Sequence, residues 1–174
     1  MSRKKVDCIW LGLLIFSFFV LAVSFLLMPL GDTVFVNGIS IYALIGGIMF
    51  WASIVLGIVA QCVLSCRRSA WYRALNKSKK QKTKQNIGVF SFFQNAYASV
   101  VDVAAIISLL GGIAAMIITE GTGYICYIFV SLFVFSFSMH CVLNGKVAFY
   151  VMNQDKMGKA VEKTQERKKG KCGK

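Results

Sequence analysis

Hydrophobic and polar positions fall along this chain in long blocks rather than in short periods. Four apolar runs cover residues 9–28, 41–64, 97–118 and 124–143. Each is close to the ~20 residues an α-helix needs to cross the hydrocarbon of a bilayer. Backbone groups in lipid must be paired within their own segment, so runs this long predict helices. Barrel strands would span about ten residues and alternate in polarity, and no run does so. A soluble bundle would keep a polar face on each helix, and these runs have none. The pattern predicts an all-α integral membrane protein: a four-transmembrane-helix bundle in residues 1–152, then a polar tail, 153–174, with too little apolar content to order.

Composition agrees, since 57% of residues are hydrophobic and only 16% are charged. The basic start Arg3-Lys4-Lys5 also suits a secretory signal. However, the run that follows is long, and PLGDT after it offers no small-x-small cleavage site, so the first helix is expected to stay.

Charge fixes an expected orientation. Three of the 20 Lys and Arg precede the first run, eight lie between the second and third, around a basic loop at 65–88, and nine follow the fourth. The other two connections, 29–40 and 119–123, carry only Asp32 and Glu120. Four spans place all three basic segments on one side, and the positive-inside rule makes it the cytoplasm. The reading is therefore a multi-pass protein of the cell membrane with both termini cytoplasmic. The net charge of +13 then faces the anionic lipid of the inner leaflet. Nucleic acid also attracts basic patches, but the tract SKKQKTKQ at 78–85 has no interleaved aromatic, and no nucleic-acid partner is expected.

The segment NIGVFSFFQNAY before the third run predicts a short interfacial helix or the inner end of a longer span, because aromatics favour that depth. Apolar residues 147–152 extend the fourth helix inward, and Pro29 and the Gly121/Gly123 pair suit helix ends and a tight turn. The inner exits CVLSCRRSAWY (62–72) and CVLNGKVAFY (141–150) match with one residue of slippage. Two like-oriented hairpins in tandem would explain this. So would the shared needs of any inner helix exit, aromatics followed by positive charge.

One polar site stands out. Asp102 lies one turn inside the third run, and His140, the only histidine, lies near the inner end of the fourth. Gly121 at the outer tip is equidistant from both, so they are expected at equal depth on antiparallel neighbours. Asn144 and Lys146 follow one to two turns further in, and Gln94 and Asn95 complete a candidate polar layer. In the structural reading, Asp102 pairs with His140 or Lys146 and fixes the hairpin. In the functional reading, the pair serves a proton or cation path.

Small residues form packing stripes: Ala104, Ser108 and Gly112 on the third run, Ser53 and Gly57 on the second. They suit close helix approach, within the chain or to a second copy or larger membrane partner. Five of the six cysteines fall on the inner side, where disulfides are not expected. The chain has no phosphate loop, dinucleotide loop, HExxH or paired catalytic carboxylates. The expectation is no enzyme, catalytic residue, metal or cofactor. Two functions remain: a scaffold or accessory subunit of a larger membrane complex, and a small transporter or channel subunit using Asp102 and His140.

Overall fold

The computed structural model describes residues 3–31, 35–36, 39–73, 92–93, 96, 98–120, 123–152 and 154. Four long helices dominate: α1 (Arg3–Leu27), α2 (Ile41–Arg73), α3 (Ser99–Ile118) and α4 (Tyr124–Leu143). All four are long and apolar enough to cross a membrane. A shorter helix, α5, covers residues 146–152.

α1 and α2 outrun their apolar blocks at the ends that carry the basic residues. α1 starts at Arg3, ahead of its apolar run, and α2 continues through the arginines to Arg73. With 33 residues, α2 reaches about 50 Å at 1.5 Å per residue, well beyond a hydrocarbon layer of about 30 Å. The third helix does not extend this way. Phe92 and Phe93 form a turn, and Phe93 has a positive φ of 60°, so α3 begins only at Ser99. Most of the basic connection, the residues Gln94 and Asn95, and the tail apart from Gln154 lie outside the described residues.

The two short connections, after α1 and after α3, are compact. Pro29 sits in the first turn of a 3-10 segment, Met28–Leu30, that ends α1. A two-residue antiparallel ladder follows, pairing Phe35 with Ser40 and Val36 with Ile39. Ser40 then caps α2: its Oγ accepts the Ala43 N–H at 3.2 Å and donates to the Gly31 carbonyl. Between α3 and α4, Glu120 is left-handed, φ 52°, while Gly123 is extended at φ −74°. Thr119 ties this corner together, donating to Ala115 O at 2.8 Å and accepting the Gly123 N–H at 3.3 Å.

The helices touch in the order α2–α1–α4–α3, and no comparable interface joins α2 to α3. Small residues make these approaches possible. Gly57 of α2 faces Ser17 of α1, where an added Cβ would lie 3.0 Å from Oγ, and Gly46 faces the Cβ of Leu27. Gly111 of α3 lies under the Phe129 ring of α4, where a Cβ would sit 2.4 Å from a ring carbon. Gly112 has ordinary clearance, with the Phe129 Cβ at 3.4 Å. Ser53 and Ser108 are buried and satisfy their hydroxyls on their own helices, at Phe50 O and Ala104 O. Ser131 of α4 instead crosses to α1 and donates to Ala22 O at 2.7 Å.

The apolar core lies where α1, α2 and the end of α4 meet α5. Leu14, Ala60, Leu64 and Val142 meet Val147, Ala148, Tyr150 and Val151 there, with Trp10 and Trp71 against them. The chain reaches this position by breaking the helix at Asn144 and Gly145. A side chain at Gly145 would meet the Cys141 and Val142 carbonyls at 2.8 and 3.0 Å, so the corner needs glycine. The matching stretch of α2, Ser65-Cys66, contains no such pair and stays helical.

Candidate functional site

The polar site builds from two helix ends and one turn. α3 carries Asp102 in its first turn and α4 carries His140 in its last. Both side chains are fully buried. His140 Nδ1 donates to Asp102 Oδ1. The second carboxylate oxygen accepts the Phe93 backbone N–H at 2.7 Å. Phe92 lies flat on the imidazole, with centroids 4.1 Å apart and planes 14° from parallel, and Phe137 stacks further off at 6.2 Å.

Asn144 follows His140 by one turn and is buried beside it, its Nδ2 3.3 Å from each ring nitrogen. Nδ1 already donates to the carboxylate, so Nε2 is the nitrogen that can accept from this amide. Lys146 is not part of the cluster. It is exposed on α5 and forms no ion pair among the described residues.

The structure holds a second buried carboxylate. Asp7 of α1 is fully buried and accepts from three donors: Arg67 Nε of α2, Tyr150 Oη of α5 at 2.7 Å, and Gln154 Nε2. Tyr150 also packs its ring against Trp71, with centroids 5.2 Å apart. Asp7 precedes the first apolar run by two residues, so a search of the apolar runs passes over it. A usable signal was present: an acid among Arg3, Lys4 and Lys5, in a chain with only seven acids, invites the question of its partner.

Between them the two sites place carboxylates near the N-terminal ends of α1 and α3, each tied to the following helix. In both, the carboxylate oxygens accept from donors within the chain. Among the described residues no three His, Cys, Asp or Glu side chains gather as metal ligands. One groove of ≈ 820 Å³ runs along α2, lined by apolar residues including Leu44, Gly47, Ile48, Trp51 and Val55. The opposite edge of the row is apolar too: Ile117 and Ile118 of α3 are 75% and 81% exposed. No family model, curated protein or solved structure matches this chain.

Proposed function

We propose that this is a non-catalytic, multi-pass protein of the cell membrane that serves as a scaffold or accessory subunit of a larger membrane assembly. One contrast carries the reading. The buried carboxylates are closed on partners within the chain, whereas the two end helices, α2 and α3, present bare apolar faces. A chain built this way keeps its polar chemistry for holding itself together and offers lipid-facing edges for contact with other spans, of a second copy or a larger partner. The Asp102–His140 pair then works as a clamp that fixes α3 against α4.

Both termini lie in the cytoplasm on this reading, with anionic lipid against the basic segments. Asp7, Arg67 and Tyr150 gather at the same end as the basic residues, which suits an inner interface. Lys80 should resist an impermeant amine reagent in intact cells and react after permeabilisation. Labelling in intact cells would reverse the orientation.

A transporter or channel subunit is the second reading, favoured by the meeting of Asp102 and His140 inside the helical slab. Extraction in mild detergent, stoichiometry of co-purifying spans, and ion flux in liposomes separate the two. A fixed-ratio partner with no flux supports the accessory role. Flux lost in Asp102→Asn (D102N) supports the carrier and removes the scaffold as the main role.

A further inference from the structure

Arg68 departs from the closed pattern of the two carboxylate sites. Its Nε is buried and has no hydrogen-bond partner among the described residues. A guanidinium offers five N–H donors and no acceptor. A buried donor left unmet costs free energy, so in a folded protein it marks a partner from outside the chain or an ordered water.

The fold explains why the chain supplies no partner. Successive helical residues point about 100° apart, so Arg67, which reaches Asp7, leaves Arg68 on a different stripe of α2. Leu64 and Trp71 share that stripe, one turn before and one turn after. Leu64 is fully buried and Trp71 packs against the same core, which roots the Arg68 side chain at the core's edge. The residue as a whole is only half-buried, so a ligand can reach it from outside. The described acids are committed or remote: Asp7 to Arg67, Tyr150 and Gln154, Asp102 to His140 and the Phe93 amide, and Glu120 beyond the far end of α3.

Depth supplies the missing partner. Leu64 ends the second apolar run, and Arg68 lies one turn further along the helix, about 6 Å at 1.5 Å per residue. The head-group layer on each side of the hydrocarbon is about 5–8 Å deep. Arg68 therefore stands among lipid phosphates, whichever side this end of α2 faces. Arginine suits that anion because its planar fork donates two parallel N–H bonds to two oxygens of one phosphate.

We propose that Arg68 is a phosphate-binding site at head-group depth, its Nε–H and an adjacent guanidinium N–H closing on one phosphate. The site rests on the membrane-spanning reading, and is independent of the scaffold or carrier role.

The test follows the Arg68 Nε–H by NMR of arginine side chains, in the full chain stripped of lipid in maltoside micelles, which carry no phosphate. Three additions are compared: phosphatidylglycerol, diacylglycerol with the same acyl chains, and inorganic phosphate. Phosphatidylglycerol should shift the Arg68 signal saturably and slow its hydrogen exchange about tenfold or more. The Arg67 signal, held on Asp7, should stay where it is. Diacylglycerol should do neither. An equal response to inorganic phosphate keeps the site and assigns it to soluble phosphates, whereas a response to phosphatidylglycerol alone assigns it to the lipid. An Arg68 signal that no phosphate moves, with fast exchange throughout, overturns the proposal, because water is then the partner. So does an equal response to diacylglycerol.

Two variants separate the site from general charge attraction. Arg68→Lys (R68K) keeps the charge and loses the fork, and should weaken phosphatidylglycerol binding about tenfold. Lys80→Gln (K80Q) removes one charge from the basic connection and should change it little. Equal losses in the two overturn the site. If R68K does not fold, the titration of the unaltered chain decides. A chain that folds in plain buffer without detergent removes the membrane-spanning reading itself, and the site with it.

Discussion

Asp102 on α3 and His140 on α4 lie equally far in sequence from Gly121, and their fully buried side chains are hydrogen-bonded at the same depth of the hairpin. Polar contacts between membrane helices are worth about 1–2 kcal/mol at the upper end. A double-mutant cycle of Asp102→Ala and His140→Ala should give a coupling of that size, read by unfolding in mixed micelles. Coupling near zero would show that each side chain is held by its other contacts alone.

Serine hydroxyls give a sharper comparison. Ser17 and Ser53 donate to carbonyls of their own helices, Leu14 O and Phe50 O, whereas Ser131 donates to Ala22 on another helix. Ser131→Ala should lower stability by roughly 0.6–1.7 kcal/mol. Ser53→Ala should stay within about 0.5 kcal/mol, because it breaks no contact between helices. Equal losses in the two variants would contradict this division.

Adjacent glycines on α3 should behave differently. A Cβ at Gly111 would lie 2.4 Å from the Phe129 ring, but one at Gly112 would have 3.4 Å of clearance. Gly111→Ala should destabilise by about 1–2 kcal/mol, as overpacking does, and Phe129→Leu in the same chain should recover part of the loss. Gly112→Ala should change little. Thermal unfolding of the three variants in one detergent is sufficient.

Where α5 meets α1 and α2, Tyr150→Phe removes the hydrogen bond to Asp7 but keeps the ring against Trp71. A hydrogen bond to a charged acceptor contributes about 1.5–3 kcal/mol. Tyr150→Ala also loses the buried ring and should destabilise more, by about 3–5 kcal/mol in line with other buried aromatics. Similar losses in the two variants would mean that ring packing contributes little there.

Much of the fold was legible because lipid leaves a coarse signature. Runs of about twenty apolar residues mark a span whatever its neighbours are, and all four runs emerge as long helices. The depth argument that singled out Asp102 and His140 used only helical rise and a hairpin tip. Boundaries were less legible. Helices continue past the apolar blocks where charged residues still favour helix, as Arg67 and Arg68 do in α2. The third helix starts late because its preceding residues turn to deliver the Phe93 N–H to Asp102. Asp7 was hidden for a related reason: its partners are 60, 143 and 147 residues away, and no local period connects them.

Those long separations bear on how the chain is made. Asp7 leaves the ribosome well before two of its three donors, Tyr150 and Gln154, which lie 143 and 147 residues later. Arg67 is available far earlier, so the first hairpin can mature with its aspartate half-satisfied. The seam between α1 and α5 therefore closes only after both hairpins have been made, and a nascent chain stalled short of Tyr150 should carry both hairpins yet lack the fastening.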